Sequence, residues 1–282
     1  MPTLQVRDVH FAFGMLFLLL GVVATYLVRT FVWGRARHAR SDEDGGSVFL
    51  HKSAMEMGYW LLDPLVSALV SLEIAPNMVT LFSVVPALLA AIAAAFGWFA
   101  LACVLATLGS LCDLLDGVLA RRLGVASDAG EVYDAAVDRY VEFLFLGGVA
   151  IYYRTHWMVL LLTMAALLGS FMVSYTTAKA EAMSVPPPRG AMRRAERAVY
   201  LLVAAGLTAF TRAAFADSPS HALREAPMLV ALSLVAVVTN VSAVQRFMAI
   251  ASALRVRNAT PPKPANRSGG IVAKPRPPAS ST

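Results

Sequence analysis

Four aspartates separated by short, regular gaps are the residues of this sequence best suited to chemistry. Asp113 and Asp116 are three residues apart, and Asp134 and Asp138 are four apart. On helices each pair shares one face, so two helices that meet at the same depth could aim four carboxylates into one pocket. Apolar stretches long enough to span a membrane flank the cluster, where a single Asp at the centre of a span costs roughly 2.5–3.5 kcal/mol. Such acids need a compensating cation, and two divalent metal ions held by carboxylates form a clamp for phosphoryl transfer.

The residues between the two acid pairs indicate a phosphate-binding surface. Gly117 and Ala120 leave room for a ligand to approach the backbone beside Asp116. Arg121 offers a planar guanidinium suited to phosphate. Gly130 precedes the second acidic helix, and we expect it to take a positive φ in the turn.

These residues form the pattern D-x2-D-G-x2-A-R-x8-G-x3-D-x3-D, which resembles the signature of the CDP-alcohol phosphotransferases. With roughly 5–10% usage per residue type, eight fixed positions at these gaps would arise by chance in about one chain in ten million. The resemblance implies an enzyme that transfers a substituted phosphate from a CDP-linked donor to an alcohol and releases CMP. It also implies two divalent ions, Mg²⁺ or Mn²⁺, CDP-diacylglycerol as the donor, a small alcohol as the acceptor, and a homodimer.

The resemblance also assigns roles by position. The metal ions would be bound by the four aspartates, and Asp138 would also take the proton of the acceptor hydroxyl as general base. The donor's nucleotide end would be held by seven residues, namely Gly117, Ala120, Arg121, Gly130, Asn77, Thr80 and Ser127. Asn77 also suits a helix cap, and Ser127 suits an ordinary loop hydroxyl.

The composition predicts a multi-pass membrane protein. Of the 282 residues, 58% are hydrophobic and 15% are charged, and the mean hydropathy is +0.63. A soluble domain of this length would not carry so little charge. The net charge of +6 does not indicate nucleic-acid binding, because basic residues are expected beside membrane spans. Cys103 and Cys112 fall in apolar segments and are predicted to be packing residues.

We predict an all-α membrane protein with four segments. They are an N-terminal anchor and linker (1–53), an interfacial amphipathic helix (54–75), a six-helix catalytic domain (76–249) and a basic disordered tail (250–282). The alternative for the second segment is a short span broken by Pro64. The spans are predicted at 11–33, which is extra relative to the usual family layout, and in the core at 78–99, 100–120, 134–153, 157–178, 198–215 and 227–248.

Lys and Arg gather on one side of these spans. The exceptions are Arg7, Arg154, Arg212 and Arg224. By the positive-inside rule, the chain starts outside, and the aspartates lie at the cytoplasmic face of the cell's inner membrane.

The segment after the fourth core span bears on the acceptor. SYTTAKAEA, followed by GAMRRAERAVYL, resembles family members that use inositol phosphate. Thr177 stands where those members usually carry a basic residue, and Lys179 replaces an Arg. Lys179, Arg194 and Arg197 are the predicted acceptor-binding residues, since a phosphorylated acceptor needs cations. Glycerol phosphate is the competing acceptor, and these cations also suit plain positive-inside flanking charge.

The sequence leaves two other functional classes open. A membrane prenyltransferase also uses Asp-rich motifs and Mg²⁺, but it would bind an isoprenyl diphosphate and does not call for Gly117, Ala120, Arg121 and Gly130 at these gaps. Intramembrane acids also serve as ion sites in transporters. Release of pyrophosphate in place of CMP would favour the prenyltransferase.

Overall fold

The computed structural model describes residues 2–33, 52–186 and 192–259, and these residues contain helices but no strand. The all-α prediction is therefore confirmed. The helices are α1 (Pro2–Trp33), α2 (Lys52–Ser71), α3 (Pro76–Phe82), α4 (Val84–Ala95), α5 (Phe99–Leu123), α6 (Asp128–Tyr152), α7 (Trp157–Ala182), α8 (Arg194–Ala214), α9 (His221–Arg224) and α10 (Ala226–Ala259).

A bundle of six helices forms the core, with α3 and α4 counting as one helix interrupted at Ser83. Pro86 explains this break, because its ring crowds the carbonyl of Phe82 and it has no N–H to donate there. Five described segments are long and apolar enough to cross a membrane: 8–32, 76–95, 99–123, 157–182 and 226–258. Helices α6 and α8 pack in the same bundle but carry more charge, since they bring acids and arginines to its interior. The chain is a multi-pass membrane protein.

The turn between α5 and α6 places the two acid pairs at a similar depth. Helix α5 ends at Gly124, whose φ of 67° is left-handed and costs glycine nothing. Helix α6 begins after Ser127, whose hydroxyl accepts a hydrogen bond from the Gly130 N–H at 3.2 Å. At 1.5 Å per residue, Asp116 and Asp134 both lie about 10 Å from this turn along their helices. Helix α3 packs against both α5 and α6 and completes the surroundings of the acids.

Small residues let the helices approach closely. Gly148 of α6 lies against the Ala91 backbone of α4, and a Cβ at Gly148 would stand 2.8 Å from the Ala91 Cα. Helices α7 and α10 form another close pair, in which the Asn240 side-chain amide donates to the Ala165 carbonyl at 2.8 Å. Such approach is typical of membrane helices, whose association depends on packing and interhelical hydrogen bonds.

The extra N-terminal helix α1 is joined to the core through a buried carboxylate. Asp8 is 6% exposed, and its Oδ1 accepts hydrogen bonds from the Ala100 and Leu101 N–H groups, both at 3.1 Å. These N–H groups start α5 and have no partner within that helix, so Asp8 caps α5 from a distant part of the chain. Near the other end of α1, the rings of Tyr26 and Trp60 lie 5.7 Å apart, which brings α1 to α2.

A buried ion pair fixes the bundle at the end opposite to the four aspartates. Arg212 donates to Glu225 at 2.8 and 2.7 Å and to the Gly97 carbonyl at 2.6 Å. Tyr153 donates to the same carboxylate at 2.8 Å. Both charges are thereby satisfied, and the ends of α4, α6 and α8 are held together.

Several predicted boundaries differ from the structure. Helix α2 runs through Pro64 unbroken, and its apolar part, Trp60–Ser71, is short, so the alternative of a broken span is wrong. The disordered tail is wrong for residues 250–259, because α10 continues through Ala259 and buries Ile250. The predicted linker and the rest of the tail fall on residues 34–51 and 260–282, outside the described residues.

Candidate active site

Three of the four aspartates bring their carboxylates together. Oxygens of Asp113, Asp116 and Asp134 all lie within 4.8 Å of one another. Asp116 is 6% exposed, while Asp113 and Asp134 are half-buried. The pairwise spacing in the sequence thus leads to a shared pocket, as predicted for these three residues.

The cluster has the properties of a divalent-metal site. Asp116 Oδ2 and Asp134 Oδ1 are buried, and neither has a hydrogen-bond partner among the described residues. Unsatisfied carboxylate oxygens that also repel one another are costly, and a bound cation removes both penalties. An all-carboxylate donor set suits Mg²⁺ or Mn²⁺. The buried Thr80 side chain faces Asp116, and its hydroxyl donates to the Pro76 carbonyl at 3.2 Å.

A cavity of about 570 Å³ opens beside Asp116 and Asp134. Its size is in the range of about 300–1,000 Å³ found for small-molecule sites. Its lining includes all the residues predicted to hold the nucleotide end of the donor, namely Asn77, Thr80, Gly117, Ala120, Arg121, Ser127 and Gly130. These residues come from α3, α5, α6 and the turn before α6, so the motif that begins at Asp113 and the earlier segment with Asn77 and Thr80 meet at one wall.

Individual residues of this wall differ from their sequence predictions. Gly130 lies inside the first turn of α6 without a positive φ, and Gly124 takes the left-handed turn conformation instead. A Cβ at Gly130 would stand 3.4 Å from the Ser127 hydroxyl, which is an ordinary van der Waals contact, so the cap itself does not require a glycine here. Asn77 is not the N-cap of α3, because Ala75 occupies that position. Ser127 is more than an ordinary loop hydroxyl, since it caps α6.

Asp138 lies on the other side of the cluster, where a single arginine bridges two acids. Arg194 Nη1 lies 3.2 Å from Asp113 Oδ2, and Arg194 Nη2 forms an ion pair with Asp138 Oδ1. Asp138 and Arg194 also line a small cavity of about 70 Å³ whose other walls are mostly apolar. The acids therefore separate two spaces, the larger one lined by Asp116 and Asp134 and the smaller one by Asp138.

The other two predicted acceptor-binding residues are placed differently. Arg197 is 1% exposed, and its Nε and Nη2 donate to the two carboxylate oxygens of Glu142 at 3.0 and 3.3 Å. Two of its N–H groups are thus paired with Glu142, and without Glu142 the buried guanidinium would be an uncompensated charge. Lys179 is exposed in the last turn of α7. Of the three residues, Arg194 alone contacts the aspartates in the described part of the chain.

Two charged residues at this site were not predicted from the sequence. Glu142 lies one helical turn after Asp138 and lines the smaller cavity. The spacing of Asp134 and Asp138 simply continues to Glu142, which was the available signal. Arg246 of α10 is 9% exposed, donates to the Thr177 hydroxyl, and leaves its Nε without a partner among the described residues. It is the single charge in the stretch from 226 to 254, which marks it as functional by the rule for intramembrane charges.

Comparison with known proteins identifies relatives of this chain. The family model for CDP-alcohol phosphatidyltransferases matches residues 73–239. A phosphatidylinositol phosphate synthase of Cutibacterium acnes is 33% identical over 156 residues, which cover 54% of this chain and 75% of the relative. An archaetidylinositol phosphate synthase of Pyrococcus horikoshii is 35% identical over 144 residues, covering 51% of this chain and 75% of the relative.

Solved structures of the Mycobacterium tuberculosis phosphatidylinositol phosphate synthase share the fold. Its complex with manganese and citrate superposes with a TM-score of 0.60 at 25% identity, covering 68% of this chain and 89% of that one. The form with CDP-DAG bound gives a TM-score of 0.58, also at 25% identity, over 67% of this chain and 92% of that one. The sequence pattern, the fold and these matches agree, and the chain belongs to the CDP-alcohol phosphatidyltransferase family.

Proposed function

We propose that this protein transfers the phosphatidyl group of CDP-diacylglycerol to a hydroxyl of a phosphorylated polyol, with inositol phosphate as the first candidate, and releases CMP. The observation that carries the proposal is the cavity of about 570 Å³. It brings together all the residues predicted for the donor's nucleotide and places them beside Asp116 and Asp134. Relatives named as inositol phosphate-using synthases, and a solved relative with CDP-DAG bound, support the same assignment.

We assign the nucleotide to one side of the aspartate cluster and the acceptor to the other. Asp113, Asp116 and Asp134 would hold the divalent ions, and Asp138 would complete their ligand set. When bound, two such ions supply charge neutralisation for the diphosphate and for the departing CMP. The nucleotide would lie in the larger cavity, with Arg121 on a phosphate and with Gly117 and Ala120 against the donor.

The acceptor would approach from the side of Asp138. Its hydroxyl proton passes to an Asp138 oxygen while the hydroxyl oxygen bonds to the phosphatidyl phosphorus. The bond from that phosphorus to the bridging oxygen breaks, and CMP leaves with the electron pair. Asp138 suits this role because it is 8% exposed and lines the smaller cavity, away from the nucleotide residues.

Cations of α7, α8 and α10 support a phosphorylated acceptor. Thr177 occupies a position that is usually basic in the inositol phosphate-using members, and Arg246 from α10 places its guanidinium on the Thr177 hydroxyl. Arg194 lies at the first turn of α8 beside Asp138. Arg197, held by Glu142, would position this group of cations, and Lys179 would meet the acceptor at the exposed rim. Glycerol phosphate is the second candidate acceptor, because cations that bind a phosphate do not read the polyol attached to it.

The remaining predictions about the whole protein belong to the same proposal. The active site would face the cytoplasm at the inner membrane, the catalytic domain would comprise 76–249, α2 would lie in the interface, and the protein would act as a homodimer. The positive-inside rule supports the orientation. The family resemblance supports the dimer.

CMP release by the purified protein in detergent tests the proposed reaction. The donor is CDP-diacylglycerol with Mg²⁺ or Mn²⁺, the acceptors are inositol phosphate, glycerol phosphate, inositol, serine and choline, and Asp138→Asn is the control. We expect CMP with one phosphorylated acceptor and loss of the reaction in the variant. CMP with a neutral acceptor alone would overturn the acceptor assignment. Pyrophosphate from an isoprenyl diphosphate, without CMP, would replace the reaction with prenyl transfer.

A further inference from the structure

We propose that Arg194 exchanges between two partners, the metal-binding carboxylates and the phosphate of the acceptor, so that the metal ions and the acceptor bind cooperatively. This inference rests on the proposed function for the identity of the acceptor, but the competition between Arg194 and the metal ions does not. The motivating contact is the bridge in which one guanidinium binds Asp113 and Asp138 together.

The bridge and the metal site use the same ligands. Arg194 Nη1 lies 3.2 Å from Asp113 Oδ2, and this carboxylate also belongs to the cluster with Asp116 and Asp134. Mg²⁺ requires carboxylate oxygens at about 2.0–2.1 Å in a near-octahedral arrangement. A guanidinium and a metal ion that share a carboxylate crowd each other, and two cations at such distances repel. Arg194 and the metal ions therefore compete for the same carboxylates.

The surroundings allow Arg194 to move. Its side chain is 40% exposed, whereas that of Arg197, one turn later on the same helix, is 1% exposed and locked on Glu142. Arg246 is buried and bound to Thr177. Among the described cations at this site, Arg194 is thus the one that contacts two of the four proposed metal ligands and also has open space around it. Once released, its planar fork can bind a phosphate through two parallel hydrogen bonds.

The exchange couples two binding events through one side chain. Metal ions release Arg194, and a phosphate that binds the released guanidinium keeps it off the carboxylates. Coupling of this kind is reciprocal. A phosphate-like anion must therefore raise the affinity for the metal ions by the same factor by which the metal ions raise the affinity for the anion. The consequence for the reaction is coupled loading: each ligand binds more tightly when the other is present, so the site fills with metal ions and acceptor together.

Mn²⁺ binding without any lipid donor provides a test that does not depend on turnover. Free Mn²⁺ is measured by electron paramagnetic resonance over purified protein in detergent, with and without sulfate, a tetrahedral dianion that leaves Mn²⁺ in solution. The variants are Arg194→Gln, Arg194→Lys and Arg193→Gln. The last is a matched control, because Arg193 is exposed and its replacement removes the same charge one residue earlier.

We expect Arg194→Gln to bind Mn²⁺ about tenfold more tightly than the unaltered protein, in the range of about 5–150-fold typical of coupled sites. Sulfate should tighten Mn²⁺ binding by the unaltered protein and have no effect on Arg194→Gln. Arg193→Gln should match the unaltered protein, and Arg194→Lys should fall between, because it keeps the charge but cannot bridge two carboxylates.

Unchanged or weaker Mn²⁺ binding by a folded Arg194→Gln variant would overturn the exchange. If that variant did not fold, the exchange would be overturned by Arg194→Lys binding Mn²⁺ no more tightly than the unaltered protein, or by the absence of a sulfate effect on the unaltered protein. The CMP assay tests the proposed function independently of the exchange. If Arg194→Gln bound Mn²⁺ more tightly but the unaltered protein released no CMP with any acceptor, the proposed function would be wrong and the competition between Arg194 and the metal ions would stand.

Discussion

Asp116 combines three features that rarely coincide: it is buried, it lies among other carboxylates, and one of its oxygens has no partner among the described residues. Charge repulsion makes this arrangement unfavourable for the metal-free protein. Asp116 therefore lowers the stability of the metal-free protein while it serves metal binding. Asn has the same shape without the charge, so Asp116→Asn tests stability and function separately.

Replacing Asp116 with Asn should abolish catalysis without unfolding the protein. We expect CMP release to fall at least about 100-fold, since a ligand and a negative charge are both lost from the metal site. The melting temperature of the metal-free variant should stay the same or rise, because the amide relieves the repulsion, and its increase on adding Mg²⁺ should shrink. Asp217→Asn, which changes an exposed acid in the turn after α8, is the control. Full activity in the Asp116→Asn variant would remove this residue from the metal site.

Glu142 presents the opposite case, a charge whose purpose is to satisfy another charge. Glu142→Gln would leave the buried Arg197 without its anion, and breaking one side of such a pair costs about 3–5 kcal/mol. We expect a large fall in the unfolding free energy measured with denaturant. The double variant Glu142→Met with Arg197→Met should recover much of it, since an apolar pair of similar size needs no counter-charge. Equal losses in the single and double variants would show that the pair itself is not the cause.

At the scale of helices, positioning of the acids depends on how closely α6 can approach α4. Gly148 lies against the Ala91 backbone, whereas a Cβ at its neighbour Gly147 would meet nothing within 4 Å. The two glycines thus have the same sequence context and opposite surroundings. Helix α6 also carries Asp134 and Asp138, so its displacement would reach the active site.

Gly148→Ala should therefore lower both stability and activity, while Gly147→Ala should lower neither. Forcing a methyl group into a packed interface costs about 1–3 kcal/mol, and a misplacement of about 1 Å at a reacting centre can cost about 100-fold in rate. Thermal unfolding and CMP release measured on both variants check this. Similar behaviour of the two variants would mean that α4 and α6 can separate locally without moving the acids.

How far the sequence could predict these elements depends on the range of the interaction. The gaps within the motif from Asp113 to Asp138 determine which residues share a helix face, so the clustering of three acids followed from local spacing. The residues of the cavity wall were assigned by the family resemblance, and Asn77 and Thr80 reach the wall from a distant segment. The Arg197–Glu142 pair and the contact of Arg246 with Thr177 join helices far apart in the chain, and no local pattern encodes which cation meets which acid. Gly130 was placed wrongly because Ser127 starts α6 one turn earlier than the acidic residues suggested.

At the scale of the whole molecule, the fold has a functional end and a structural end. The four aspartates, Arg121 and Arg194 lie at one end, and the buried Arg212–Glu225 pair lies at the other. The extra helix α1 joins both ends: Asp8 caps α5 at the structural end, and Tyr26 reaches Trp60 of α2 near its other end. The sequence predicted this helix from its apolar length, but the function of Asp8 as a distant cap could be found only in three dimensions.

Because the two ends of the helix bundle differ, single cysteines placed at each end can test the orientation of the protein in the membrane. In the described part of the chain, the end with the aspartates carries most of the Lys and Arg residues, so it should face the cytoplasm. Leu123→Cys places an exposed thiol at that end, beside the α5–α6 turn, and Ser218→Cys places a thiol in the turn after α8 at the other end. A membrane-impermeant maleimide added to intact spheroplasts should label the Ser218→Cys variant at once, and the Leu123→Cys variant only after the membrane is permeabilised.

Labelling of the native cysteines by the maleimide is the background of this measurement. Cys103 is buried and Cys112 half-buried, so the protein without an added cysteine is the control for both variants. Labelling of the Leu123→Cys variant but not of the Ser218→Cys variant in intact spheroplasts would reverse the orientation. The proposed reaction would then move to the outer face, where CDP-linked donors made in the cytoplasm could not reach it directly.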